Sequence, residues 1–135
     1  MSGLIIVDTD VWSEGFRKRT GEPSAERLFL TELVDDGRVQ MLGCIRQEVL
    51  QGIRDRAQFE RTRAALQAFE DRAPTAAEYE LAAEFFNTCR SKGIQGSSTD
   101  FLIAACSVAW GLPLLTKDKD FQRYAEYIPL RLVRV

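Results

Sequence analysis

Two short apolar runs in this chain stop on carboxylates: "LIIVDTD" at residues 4–10 and "LPLLTKDKD" at residues 112–120. Acids that meet at neighbouring strand ends repel one another, and a cation between them relieves the repulsion. Two further acids stand where they can join such a cluster, Glu48 in "IRQEVLQG" and Asp100 in "SSTDFLIAAC". The chain has no histidine, which removes Ser-His-Asp and Cys-His nucleophiles and histidine acid–base chemistry. A metal held here is therefore held by oxygen, which suits magnesium or manganese rather than zinc or copper. Carboxylates around such an ion suit hydrolysis of phosphodiesters by activated water.

Each acid also has an ordinary structural reading. Asp8 can be a solubilising charge at a strand end, and Glu48 a surface residue of a helix. Asp100 sits in the first turn of the most apolar helix, where a carboxylate favours the helix dipole and Ser97, Ser98 or Thr99 caps the end. Asp118 and Asp120 fit a turn before a helix, with Asp120 as the expected cap. Thr116 can orient a neighbouring carboxylate through its hydroxyl. The signal lies in the set: four acids spread over the chain, each beside a strand end or a helix start.

The elements that must position them alternate. Residues 4–7 form a continuous apolar run, as expected of a strand covered on both faces. A helix follows it, and Ser24 or Pro23 opens a second helix that stops at "DDG". "RVQML" reads as a short strand, followed by a helix through "IRQEVLQGI" and a longer one containing Phe59, Leu66 and Phe69. Thr75 and Glu78 form a capping box before a helix through Leu81, Phe85 and Phe86. "TDFLIAACSVAW" is apolar nearly all round and predicts a buried helix, ended by Gly111 and Pro113. "LPLLT" is a strand, a short helix follows, and "FEDRAP" and "LRLVRV" are expected to add an edge strand and a final strand. Strands alternating with helices predict a three-layer α/β/α sandwich with a parallel sheet of four to five strands, in one domain spanning 1–135. In such sheets the ligand site lies beyond the carboxyl ends of the strands, which is where Asp8 and Asp118 fall.

A length of 135 residues, 45% hydrophobic and 28% charged, suits one ordinary globular domain. No apolar run approaches the roughly 20 residues of a membrane span. The start "MSGLIIVDTD" has no basic region and too short an apolar run for a signal peptide, so the expected location is the cytoplasm. Cys44, Cys89 and Cys106 are far apart, with no C-x-x-C, and read as core or half-buried thiols. A net charge of −2 means that binding a polyanion needs local basic patches. Candidates are "RKR" (Arg17, Lys18, Arg19) and Arg54, Arg56, Arg61 and Arg63, unless these are simply a solvated, ion-paired face.

Taken in order, "VDTDVW", "EV" after the second strand, "TDFLIAA" and "LLTKDKDF" resemble the PIN-domain nucleases, and more narrowly the VapC-type ribonuclease toxins of prokaryotic toxin–antitoxin pairs. The resemblance covers nearly the whole chain. It implies a magnesium-dependent endoribonuclease (manganese serving as an alternative ion) whose acidic quartet is Asp8, Glu48, Asp100 and Asp118. Asp8 and Asp100 would be metal ligands with Asp118 completing or extending the set, Thr116 would match the hydroxyl position, and Asp120 would be a supporting residue. It further implies an RNA substrate, a homodimer and a cognate VapB-like antitoxin. The surface expected to receive that partner is "LFLTELV", with Leu28, Leu30 and Leu33, and a basic antitoxin side chain would reach toward Asp8 and Asp100. Val49 stands where leucine is common in the glutamate motif. Two other readings remain: a HAD-like phosphohydrolase with Asp8 as nucleophile and Asp10 as acid–base, and a non-catalytic PIN domain that binds RNA or protein. Against the former, Trp12 occupies the place of a small hydroxyl residue and no segment resembles a cap domain.

Overall fold

The computed structural model describes residues 3–17 and 21–135 of the chain. Lys18 and Arg19 of the basic "RKR" lie outside the described residues. The first strand, β1 (Ile5–Val7), is the centre of a parallel sheet of order β2-β1-β3, with β2 at Val39–Gln40 and β3 at Leu114–Leu115. Ile5 lies opposite Val39, and Val7 opposite Leu115. Successive strand residues point to opposite faces, and all three residues of β1 are buried, so both faces are covered.

Among the described residues, seven helices supply the cover: α1 (Thr9–Phe16), α2 (Ala25–Asp35), α3 (Gly43–Gln51), α4 (Arg56–Leu66), α5 (Ala76–Ser91), α6 (Ser98–Trp110) and α7 (Asp120–Tyr124). α1 packs on α2 and α3, α3 on α4, and α5 lies along α6. Ser24 caps α2, accepting from the Arg27 amide at 3.0 Å. The Thr75–Glu78 capping box opens α5, with the Thr75 amide donating to Glu78 Oε1 at 2.9 Å. α6 is the core helix, burying Phe101, Ile103, Ala104, Ala105 and Cys106. It ends on Gly111, whose φ of 66° is the left-handed conformation that turns the chain back into β3. Cys89 is buried like Cys106, and Cys44 is half-buried.

The sheet has three strands among the described residues rather than four to five. "FEDRAP" contributes a single parallel bridge, Met41 to Asp71, and "LRLVRV" another, Leu114 to Leu132. The physical reasons differ. Around Asp71 the chain is held by a side chain instead of a ladder. Arg46 donates to the Leu66 and Phe69 carbonyls at 2.9 and 2.6 Å and pairs with Asp71 at 2.9 Å. At the other edge, Leu114 exchanges backbone bonds with Arg131 and Val133, while the next carbonyl, Leu115, is committed to the Asp8 amide. Two residues of β3 cannot serve two long partners.

α2 also departs from expectation. Leu30 and Leu33 are 6% and 0% exposed and belong to the core, because their helical face packs on α1; only Leu28, at 53%, is open to solvent. Leu30 nonetheless lines, with Phe16, Val34, Ala65 and Phe69, a groove of about 330 Å³ between α1, α2 and α4.

Arg46→Ala removes the donor of the Phe69 carbonyl, the ion pair with Asp71 and one of the two donors of the Leu66 carbonyl, which keeps the Phe69 amide at 3.1 Å. A loss of roughly 1–3 kcal/mol in unfolding free energy is expected, read as a lower urea midpoint at unchanged slope.

Candidate active site

The strand β1 hands the chain directly to an acid. The Asp8 amide donates to the Leu115 carbonyl at 2.9 Å, so pairing with β3 continues through Asp8 itself. Its backbone is still extended, and the carboxylate caps α1 by accepting from the Thr9 amide at 2.8 Å. The other oxygen accepts from Thr116 Oγ1 at 2.7 Å, across 108 residues of chain. Asp8 is 7% exposed. Burial pushes its carboxyl from 3.8 up to about 7; the Thr116 and Thr9 hydrogen bonds oppose the shift, and the charges of Asp10 and Asp100 add to it.

The remaining acids are gathered by the ends of other elements. Glu48, on α3, accepts from Thr9 Oγ1 at 2.7 Å, so the residue after Asp8 ties the second acid to the first. Asp100 sits in the first turn of α6, where its amide donates to Ser97 Oγ at 3.0 Å. Its Oδ2 accepts from the phenol of Tyr124 at 2.9 Å. Burial raises its carboxyl above the usual range, the Tyr124 and Ser97 hydrogen bonds opposing and the charges of Asp118 and Glu48 adding. Asp118 follows β3 and donates its amide to Thr116 Oγ1 at 3.0 Å, so one hydroxyl serves both Asp8 and Asp118. The Asp118 carboxylate accepts from the Asp120 amide at 2.9 Å. Asp118, not Asp120, thus caps the start of α7, because Asp120 is already the first helical residue. Asp120 is exposed and faces Arg123 at 3.9 Å.

Asp10 joins the group more closely than its sequence position suggested. It accepts from the Lys117 amide at 3.2 Å, and burial raises its carboxyl despite the Lys117 donors. Asp8 senses Asp10 and Asp100, Asp10 senses Asp118, and Asp100 senses Asp118 and Glu48. Five carboxylates share one field. Among the described residues, none of Asp8, Asp10, Glu48, Asp100 and Asp118 forms an ion pair. The nearby cation is spoken for: Lys117 Nζ meets Glu14 at 2.9 Å. Burial would raise Glu14, but the Ser24 and Lys117 donors prevail and bring it to about 2. Tyr124, Thr9 and Glu14 carried no sequence signal, since their partners lie 24, 39 and more than 100 residues away.

Among the described residues, no three acids or thiols stand close enough to form a ready-made metal cage. The donor set nonetheless fits a hard divalent cation, being carboxylate and hydroxyl oxygen throughout, with no counter-charge of its own. Beside the acids runs a groove of about 700 Å³ lined by Asp10, Ser13, Arg17, Arg54, Gln58 and Lys117, among others. It brings Arg17 and Arg54 together as expected and adds Lys117. Arg56 and Arg63 turn instead to Glu60 on their own helix. No helix among the described residues is long and apolar enough to cross a membrane.

Residues 5–127 match the family model described as PIN domain. No curated protein matches the chain at a significant level. Solved structures with the same fold include FitAcB from Neisseria gonorrhoeae, with 16% identity over 97% of both chains and a TM-score of 0.76. VapBC2 from Rickettsia felis, bound to a DNA fragment from its promoter, has 16% identity and a TM-score of 0.77, covering 96% of this chain and 97% of the other. VapBC-5 from Mycobacterium tuberculosis, a member of the VapBC family of toxin–antitoxin systems, has 20% identity and a TM-score of 0.71, covering 98% and 99%.

The raised carboxyl of Asp8 has a consequence for stability with a definite sign. The native state holds its proton up to about pH 7, whereas the unfolded chain releases it near 3.8. Between those values the native state binds more protons, so unfolding free energy falls as pH rises. Asp10 and Asp100 act in the same sense, while the lowered Glu14 acts in the opposite sense, between about pH 2 and 4.5, and does not touch the interval from pH 5 to 8. In chelator, the protein is expected to be more stable to urea at pH 5 than at pH 8, by an amount on the order of a few kcal/mol. Asp8→Asn should flatten that dependence and raise the midpoint at pH 8.

Proposed function

The chain belongs to the PIN domain family, and on that premise we propose that it is a magnesium-dependent endoribonuclease acting as the toxin of a type II toxin–antitoxin pair. The observation that carries the reading is Asp8: a buried carboxylate among like charges, oriented by two hydrogen bonds and lacking a cationic partner among the described residues. A divalent ion is the simplest counter-charge for such a group. Membership of the family displaces the phosphohydrolase reading of "DTD".

Asp8 and Asp100 would hold the ion, with Asp118 completing or extending the set. When bound, the ion supplies charge compensation, polarisation of the phosphate and activation of water. The side chains of this protein do the rest. Thr116 holds Asp8 in one orientation and anchors the Asp118 amide. Glu48, which accepts from Thr9 Oγ1, would position the attacking water or a second ion. Water adds to phosphorus, the P–O3′ bond breaks, and the products carry a 5′-phosphate and a 3′-hydroxyl. Arg17 and Arg54 line the groove leading from Asp10 and suit phosphates of the flanking chain, which makes RNA affinity fall with salt.

The partner reading rests on the named structures, whose VapBC members belong to toxin–antitoxin systems. The antitoxin would lay an apolar segment into the groove between α1, α2 and α4 and direct a basic side chain toward Asp8 and Asp100. The toxin itself would be a cytoplasmic homodimer of one nuclease domain per chain.

Purified protein is expected to cleave RNA with Mg²⁺ or Mn²⁺ and to stop in chelator. Asp100→Asn should lower the rate by roughly 100-fold or more while leaving the thermal midpoint similar or higher, since repulsion is relieved. Full ribonuclease activity in chelator refutes the reading, and phosphomonoester turnover with covalent labelling of Asp8 restores the phosphohydrolase. Co-expression with the adjacent small open reading frame is expected to give a stable complex with no RNase activity; failure of any neighbour to suppress growth arrest removes the toxin role and leaves the nuclease.

A further inference from the structure

Asp100 is the one acid of the cluster held by an aromatic side chain, and the packing around that contact is unusually demanding. Tyr124 is 0% exposed, yet it carries a hydroxyl. A buried phenol oxygen needs a partner, and this one donates to Asp100 Oδ2 at 2.9 Å. The ring cannot drift from that position. It lies 4.7 Å from the Phe101 ring and 5.4 Å from the Phe121 ring, between α6 and α7.

The loop before α6 is shaped to the same contact. A Cβ on Gly96 would lie 2.3 Å from the Tyr124 hydroxyl oxygen, 2.7 Å from its Cζ and 2.8 Å from Phe101 Cε2. These separations are impossible for real atoms, and Gly96 does not have a left-handed φ, so close approach is what requires glycine here. Gly96 makes the space, Tyr124 fills it, and the filled space ends on the Asp100 carboxylate. α7 therefore touches the cluster twice, since Asp118 caps its first turn and Tyr124 is its last residue.

We propose that Tyr124 is a positioning residue for Asp100: by donating to Oδ2 it restricts the carboxylate to one orientation in which to meet a divalent cation. This rests on the reading of Asp100 as a cation ligand. The chemistry of the donor matters. A lysine or arginine in this place would neutralise the carboxylate and compete with the ion, whereas a neutral phenol orients it and preserves its charge. Hydroxyls hold Asp8 and Glu48 in the same manner, through Thr116 and Thr9.

The test is Mn²⁺ binding to the full chain by isothermal titration calorimetry, without RNA, on the parent, Asp100→Asn, Tyr124→Phe and Gly96→Ala, with urea unfolding of each. Tyr124→Phe removes one oxygen and keeps the ring, so the variant retains its packing. Its Mn²⁺ affinity is expected to drop roughly 10-fold, as for loss of an outer-shell partner, under conditions where it is fully folded. Gly96→Ala is expected to weaken binding in the same direction although its phenol is intact. If Tyr124→Phe binds Mn²⁺ as the parent does while Asp100→Asn does not, Tyr124 is packing alone and the inference falls while the nuclease reading stands. Tighter binding by Tyr124→Phe also overturns it, since the phenol would then be a competitor of the ion. A parent that binds no Mn²⁺ overturns the nuclease reading and this inference together.

Discussion

The seam between β1 and β3 governs this molecule. It is only a few residues long, but its pairing continues past the strands to the Asp8 amide, so a carboxylate is carried into the edge of the core. Burial there disfavours the charged form by several kcal/mol in general terms, and the surroundings answer with hydrogen bonds rather than counter-charges. Thr116, Thr9 and Tyr124 each present a hydroxyl to one acid. The result is a set of oriented carboxylates whose charge remains uncompensated.

Cations are kept at a distance from that centre and used for construction. Lys117 is drawn to Glu14, which also accepts from Ser24, the cap of α2. That chain of contacts fastens the segment after β3 to two helices and pairs the Lys117 ammonium with Glu14. Arg46 is used similarly, binding two carbonyls and Asp71 where a strand was expected. Beside Asp71 the long basic side chain reinforces a single backbone bridge. The same economy explains a sheet of three short strands that still positions its strand ends firmly.

What was readable from sequence follows the range of the interaction. "LIIV" and "LL" are apolar at consecutive positions, so strands covered on both faces were evident, as was the buried character of "TDFLIAACSVAW". Ser24 and the Thr75–Glu78 pair act within one turn and were legible for that reason. Asp71 and Leu132 were overread as parts of strands, because β propensity is local while a ladder needs a partner with free backbone groups. An amphipathic pattern reveals a face but not what covers it: Leu33 lies in the core, and Leu30 is buried with only an edge on the groove. A helix start is blurred by a residue or two in sequence, which is why the carboxylate that receives the first amide of α7 is Asp118 and not Asp120. Tyr124 and Gly96 were missed entirely. Their meaning arises only when α7 is folded against the loop before α6, a relation with no trace in periodicity or spacing.

The hydrogen bond between Thr116 and Asp8 closes a loop of more than a hundred residues, and this bears on the order of events during synthesis. β1 is synthesised long before its neighbour β3. At translation rates of about 5–20 residues per second, the wait is roughly 5–20 s. During that interval the apolar "IIV" has one open edge, a situation that invites strand pairing with other chains and favours attendance by chaperones. Contacts of such long range also slow spontaneous folding. The compensation is safety. Until residues 116–118 have been made and docked, Asp8 has neither its hydroxyl nor its acidic neighbour from beyond β3, so an incomplete nascent chain carries no assembled centre.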